Sequence, residues 1–93
     1  MNDNSTKIEV LDILLSFFGT AGVDTNIIET ADLIDDLGMD SITFISIIVE
    51  LETHFNIVIP YEHMFLDHFR NADNIIAIVE KELFTKVEIL EER

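Results

Sequence analysis

The sequence predicts an all-α protein: a small helical bundle of three main helices plus one short helix, with a long loop between helices one and two. Apolar residues recur at helical spacing in three separate segments. The chain has 93 residues, 48% of them hydrophobic, which suits one domain with a small core. Ile57–Ile59 is the one run that could form a strand, and no second strand candidate exists to pair with it.

The first helix is predicted over residues 6–18. Thr6 and Glu9 fit a capping box, in which the two side chains accept hydrogen bonds from backbone N–H groups at the helix start. Gly19 and Gly22 then end the helix. Its apolar positions at helical spacing are Ile8, Leu11, Leu14, Leu15, Phe17 and Phe18.

Residues 19–40 form a long connection that is too apolar for a free linker. Its apolar residues are Val23, Ile27, Ile28, Leu33, Ile34 and Leu37. We expect most of them to pack onto the bundle, with a short helical turn near residues 30–36. Long connections inside compact domains are often functional.

The second helix is predicted over residues 41–55 and carries two apolar stripes. The core stripe consists of Phe44, Ile48, Leu51 and Phe55. A second stripe consists of Ile42, Ile45 and Val49 on a neighbouring face. Two interpretations of the second stripe stay open: a wider core contact with the long loop, or a surface for a partner or an acyl chain. The polar face that remains is narrow: Thr43, Ser46, Glu50 and Thr53.

The rest of the chain predicts one short and one long helical segment. Pro60 interrupts the chain, and residues 61–69 predict a short third helix or helical turn. Residues 71–74 have the composition of a helix cap. The last helix then presents Ile75, Ile76, Val79 and Leu83 on one face, with Lys81 and Lys86 near its C-terminal end.

We expect a single domain over residues 1–93, with an ordered core over about 6–84. The charged tail, residues 85–93, is predicted to fray. No apolar run is long enough to span a bilayer and no signal peptide is visible, so we expect a cytoplasmic protein. We also expect a monomer.

The net charge is −14, and it is unevenly distributed. No lysine or arginine occurs between Lys7 and Arg70. That stretch holds twelve acidic residues: Glu9, Asp12, Asp24, Glu29, Asp32, Asp35, Asp36, Asp40, Glu50, Glu52, Glu62 and Asp67. Such a surface repels nucleic acid and anionic membranes, so neither is an expected partner. It attracts basic patches on other proteins.

Several kinds of chemical site do not fit the sequence. An EF-hand loop opening at Asp32 would lack the required oxygen ligand, glycine and glutamate at their positions. The chain has no cysteine, and its histidines, His54, His63 and His68, do not have zinc-site spacing, so we expect no metal site. A chain this small has little room for a water-excluding pocket and an oxyanion hole, so we expect no enzyme and no catalytic residue.

The segment Asp40–Ser41–Ile42 places a hydroxyl where the long loop passes into the second helix. A side chain at a helix start is exposed and lies at the positive end of the helix dipole. A phosphate attached to Ser41 would lie beside free backbone N–H groups. An ordinary Asp-Ser helix cap is the competing interpretation.

The wider pattern resembles the acyl carrier proteins. The resemblance covers about residues 33–83 and is sharpest over Leu37–Ile42, Asp-Leu-Gly-Met-Asp-Ser-Ile with the preceding Asp36. Glu50-Leu51-Glu52, Phe55 and Ile59-Pro60 follow at the family's spacing. The resemblance implies that Ser41 carries 4′-phosphopantetheine through a phosphodiester, making the chain a phosphoprotein. The thiol of that arm would hold an acyl or aminoacyl group as a thioester.

The resemblance also implies partners. A phosphopantetheinyl transferase would install the arm from coenzyme A and contact Asp40 and Ile42. Enzymes that load and transfer acyl or aminoacyl groups would dock through basic or apolar patches. The second stripe is the expected partner-binding surface: Ile42, Ile45 and Val49.

The chain departs from the fatty-acid type in the first part of helix two. Fatty-acid carriers are acidic there, whereas Thr43 and Ser46 stand at those positions and no acid occurs between Asp40 and Glu50. We therefore favour a stand-alone carrier of a polyketide or nonribosomal peptide pathway over one of fatty acid synthesis. The competing class is an unmodified acidic helical adaptor that binds a partner through the second stripe.

Overall fold

A computed structural model describes residues 5–19 and 22–91, with side chains through residue 86. The elements, in order, are α1 (Ser5–Phe18), α2 (Thr25–Thr30), α3 (Ser41–Phe55), two 3₁₀ turns (Tyr61–His63 and Leu66–Phe69) and α4 (Ala72–Glu91). These described residues contain no strand. The predicted all-α bundle is confirmed, with three long helices and a short one. Within the same residues, none of the helices has the length and apolar content needed to cross a membrane.

Helix α1 differs from its prediction in its start and in its buried face. It begins at Ser5, so Thr6 lies inside the helix and the capping box at Thr6 is wrong. Ile8 is 56% exposed, whereas Val10 and Ile13, which the spacing did not single out, are buried with Leu11, Leu14 and Phe18. The reason is that α1 contacts α2, α3 and α4, so its buried arc is wider than a single stripe.

The long connection packs onto the bundle, as predicted, and it also contains a short helix that was not predicted. Helix α2 occupies 25–30, and the carboxylate of Asp24 caps it by accepting a hydrogen bond from the N–H of Ile27 at 3.1 Å. At the position predicted for a helical turn, 30–36, the N–H of Asp36 donates to the C=O of Asp32, and this bond between residues four apart closes one helical turn. The buried side chains of the connection are Ile28, Ala31, Leu33 and Met39.

Helix α4 begins as predicted and ends later. The side-chain oxygen of Asn71 accepts a hydrogen bond from the N–H of Asn74 at 2.9 Å, which confirms the cap. The helix continues to Glu91, so the proposed fraying of the tail stays a prediction about the protein in solution. Lys81 and Lys86 therefore lie within α4 and not at its end. Lys86 donates instead to the C=O of Asn56, where α3 ends, at 2.8 Å.

The core draws on every long helix and on the connections between them. Phe44 of α3 and Phe69 of the second 3₁₀ turn meet edge to face, with ring centroids 5.1 Å apart. This contact places the start of α3 against the turn that precedes α4. The largest fully buried side chains are Val10, Leu14, Ile28, Leu33, Ile47, Leu51, Ile59, Phe69, Ile75 and Val79.

Candidate functional site

Ser41 is the first residue of α3, and its side chain is exposed. Asp40 precedes it in an extended conformation and acts as the N-cap: its carboxylate accepts a hydrogen bond from the N–H of Thr43 at 2.8 Å. The C=O of Asp40 accepts from the N–H of Phe44 at 2.9 Å. The local sequence therefore starts the helix at the predicted residue and leaves the Ser41 side chain at the solvent-facing end.

One of the backbone N–H groups at this helix start is engaged by a side chain. The N–H of Thr43 is already bonded to Asp40. This N–H group first, and the hydroxyl of Thr43 second, hold the pKa of the Asp40 carboxyl below its ordinary value. Asp40 is therefore ionised at neutral pH, and its charge offsets part of the positive end of the α3 dipole.

The segment before Asp40 is anchored by buried side chains and backbone hydrogen bonds. Leu33 is fully buried and Met39 is 3% exposed. The N–H of Leu33 donates to the C=O of Arg70 at 2.7 Å, and the N–H of Met39 donates to the C=O of Leu33 at 2.9 Å. Gly38 has φ of 74°, a left-handed conformation that a residue with a side chain adopts with strain. The chain thus reaches Ser41 along a defined path.

Beside this segment, Arg70 forms an ion-pair cluster that was not predicted from the sequence. Its guanidinium lies 2.8 Å from Asp32, 3.2 Å from Asp35 and 3.0 Å from Asp67. The pKa of Arg70 is raised, chiefly by its hydrogen bonds to Asp32 and then Asp67. The pKa of Asp32 is lowered, first by the N–H of Asp35 and then by Arg70. One signal was available: Arg70 is the first lysine or arginine after Lys7.

The second stripe of α3 lies on the surface. Ile42 is 77% exposed, Ile45 is 59% exposed and Val49 is 55% exposed. The interpretation of the stripe as a wider core contact with the long loop is therefore wrong. The core stripe is confirmed for Phe44, Ile48 and Leu51, with Phe55 partly buried. Ile47, which the spacing did not assign to the core, is fully buried as well.

The three histidines contact residues other than Ser41. His54 lies 2.6 Å from the carboxylate of Glu9 on α1. The rings of His63 and His68 have centroids 6.0 Å apart. In the part of the chain that the structure describes, no three His, Cys, Asp or Glu side chains are placed to hold a metal ion together.

Known proteins share this pattern across most of the chain. The family described as "PP-binding: Phosphopantetheine attachment site" matches residues 9–79. An acyl carrier protein of Amoebophilus asiaticus (strain 5a2) is 30% identical over 78 residues, which are 84% of this chain and 92% of that protein. An acyl carrier protein of Akkermansia muciniphila is 27% identical over 81 residues, 87% of this chain and 96% of that protein. The chain therefore belongs to the acyl carrier protein family: it is a carrier and not a catalyst, it bears covalent 4′-phosphopantetheine, and it interacts with a phosphopantetheinyl transferase and acyl-handling enzymes.

Proposed function

We propose that Ser41 is the residue that bears the arm, and that the chain carries acyl or aminoacyl thioesters on it. The observation that carries this proposal is the position of Ser41: an exposed hydroxyl at the first residue of α3, within the segment that matches the family. Bound there, 4′-phosphopantetheine supplies a thiol on a flexible arm. Asp40 orients the helix start beneath that hydroxyl and, with Ile42, forms the surface that the transferase would meet.

Two of the other serines, Ser16 and Ser46, fit the arm less well. The hydroxyl of Ser16 lies inside α1 and donates to the C=O of Ile13 at 2.6 Å. Ser46 lies inside α3, where the backbone N–H groups are engaged in the helix. Both residues are useful controls because each has the same side chain as Ser41 in a different setting.

The test is modification of purified protein with coenzyme A and a broad-specificity phosphopantetheinyl transferase, followed by whole-protein mass spectrometry. The wild-type chain should gain one arm. Ser41→Ala should gain none and keep its helical circular dichroism, whereas Ser16→Ala and Ser46→Ala should each gain one. Addition of an arm to Ser41→Ala would contradict the assignment.

We further propose a specialised polyketide or nonribosomal peptide pathway in preference to fatty acid synthesis. The support is the uncharged first half of α3, where Thr43 and Ser46 stand and the next acid after Asp40 is Glu50. Mass spectrometry of protein isolated from its native cell would report the group on the arm. An aminoacyl or polyketide-type mass supports the proposal, and a series of saturated fatty acyl masses contradicts it.

The docking surface for loading and transfer enzymes is proposed to be the second stripe: Ile42, Ile45 and Val49. These apolar side chains are exposed and begin one residue after Ser41. An unmodified adaptor could use the same stripe, but the family to which the chain belongs bears the covalent arm, so the stripe is proposed here as a docking surface of a carrier.

A further inference from the structure

We propose that Arg70 is a positioning residue for the modification of Ser41. It would hold the segment 32–40 in the conformation in which the transferase accepts the hydroxyl. This inference rests on the proposed attachment at Ser41. Arg70 lies far from Ser41 in sequence, in the bend between the second 3₁₀ turn and α4.

The first link is made by the backbone. The C=O of Arg70 accepts the N–H of Leu33, and the C=O of Leu33 accepts the N–H of Met39. Met39 is followed by Asp40, the N-cap of α3. Two hydrogen bonds of 2.7 and 2.9 Å therefore connect Arg70 to the residue just before the cap.

The second link is made by the guanidinium. It contacts Asp32 and Asp35, which lie at the start of the same segment. The other oxygen of Asp32 accepts the N–H groups of Ile34 and Asp35 at 3.0 and 2.8 Å. Asp32 thus connects Arg70 to the turn that leads toward Ser41, because one oxygen of its carboxylate binds the guanidinium and the other binds the backbone of the turn.

The residue next to Arg70 in the chain is held in the core. The preceding residue, Phe69, is fully buried and packs edge to face against Phe44 in the first turn of α3. The guanidinium also pairs with Asp67 in the same 3₁₀ turn. Arg70 consequently bridges two parts of the molecule that both contact the beginning of α3.

A purely electrostatic role predicts the opposite kinetic result. Removing Arg70 makes the protein more acidic, which strengthens its attraction for a basic enzyme surface. The KM for the carrier would then fall or stay the same. If Arg70 positions the segment, its removal lowers the fraction of molecules in the competent conformation, and the apparent affinity falls by that fraction. The KM would then rise, with kcat retained.

The experiment measures kcat and KM for the carrier with a phosphopantetheinyl transferase and coenzyme A. The variants are Arg70→Ala, Arg70→Lys and a matched control, Lys86→Ala. Lys86→Ala removes the same charge, but its contact lies at the other end of α3. We expect the KM of Arg70→Ala to rise about fivefold if the competent fraction falls to about one fifth. Arg70→Lys should restore part of the loss and Lys86→Ala should match the wild type.

Hydrogen exchange gives a readout that does not depend on the transferase. The N–H of Met39 should exchange faster in Arg70→Ala, while the N–H of Ile57, which donates to Glu52 at the far end of α3, should not change. A KM equal to or below the wild-type value, or unchanged exchange at Met39, would overturn the proposal. If Arg70→Ala does not fold, Asp32→Asn tests the same link, and a wild-type KM in that variant overturns it.

The result that would contradict attachment at Ser41 differs from the result that would contradict the role of Arg70. Wild-type protein that gains no arm at Ser41 contradicts the attachment itself, whatever the behaviour of the Arg70 variants. An arm at Ser41 together with an unchanged KM in Arg70→Ala refutes the positioning role alone.

Discussion

Asp40 shapes the start of α3 through its charge as well as its position. Its carboxylate accepts the N–H of Thr43, and its pKa is lowered first by that N–H group and then by the Thr43 hydroxyl. A carboxyl with a lowered folded-state pKa stabilises the fold above its ordinary pKa, and the contribution is lost as the pH falls through the lowered value. The cap of α3 is thus sensitive to acid.

Replacing Asp40 tests this cap. Asp40→Ala should lower the melting temperature at neutral pH because the N–H of Thr43 loses its acceptor, whereas Asp40→Asn should lose less since it keeps a side-chain oxygen. The difference between wild type and Asp40→Ala should shrink below about pH 4, the ordinary aspartate value. Melting curves at neutral and acidic pH measure it. A difference that does not depend on pH would show that the charge of Asp40 is not involved.

Asn56 ends α3 in a conformation that few residues adopt. Its φ of 55° and ψ of 51° lie in the left-handed region, and its N–H donates to the C=O of Glu52. Asparagine and glycine are the residues that tolerate this conformation as a helix C-cap.

The effect of a substitution at Asn56 on stability should therefore depend on whether the new residue can adopt the left-handed conformation. Asn56→Gly should keep or raise stability, and Asn56→Val should lose roughly 1 to 2 kcal/mol, because a side chain branched at Cβ clashes in the left-handed region. Chemical denaturation of the three proteins gives the comparison. Equal stability of the glycine and valine variants would show that residue 56 is not held in this conformation.

At the scale of a single element, α3 has two apolar faces with different surroundings. Ile47, Ile48 and Leu51 are buried in the bundle. Ile42, Ile45 and Val49 lie on a neighbouring face and are exposed. Because consecutive positions on a helix are about 100° apart, neighbours such as Ile48 and Val49 fall on different faces. They form a matched pair for testing which face serves the fold and which serves partners.

Val49→Asp should keep the fold and weaken loading or transfer by the cognate enzyme at least tenfold. Burying one such side chain is worth roughly 1.5 to 3 kcal/mol, and about 1.4 kcal/mol is already tenfold. Ile48→Asp should instead unfold the protein, because it places a charge in the core. Circular dichroism and the loading rate separate the two effects. Full activity of Val49→Asp would refute the docking surface, and its unfolding would contradict the expectation that Val49 is dispensable for the fold.

At the scale of the whole molecule, lysine and arginine side chains pair with only a few of the acidic residues that the structure describes. Arg70 contacts three carboxylates and Lys7 contacts Glu29 at 2.6 Å. With a net charge of −14, acidic residues far outnumber basic ones, and the resulting self-repulsion opposes the compact state.

Salt should therefore raise the melting temperature. Raising the salt to about 0.5 M shortens the Debye length well below 10 Å and screens the repulsion. The double variant Asp12→Asn, Glu50→Gln, at two exposed positions, should melt higher than wild type at low salt and respond less to added salt. A melting temperature that stays constant from low salt to about 0.5 M would contradict repulsion as a limit on stability.

The features predicted correctly from the sequence are those that depend on nearby residues. The bounds of α3, the cap at Asn71 and the core stripe follow from spacing and capping within a few positions of the chain. Helix α2 was not predicted, although its cap, Asp24, directly precedes it in the chain. The buried positions Val10 and Ile13 were missed because they depend on which helices surround α1.

The candidate site divides in the same way. Asp40–Ser41–Ile42 and the stripe that follows could be identified in the sequence, because a cap, a hydroxyl and helical periodicity are local properties. The exposure of that stripe, the bonding of Lys86 to the end of α3 and the contacts of Arg70 with Asp32 and Asp35 were decided only when the chain had folded. The bonds of Lys86 and Arg70 join residues 30 or more positions apart, and no local pattern specifies which of several distant partners a charged side chain will meet.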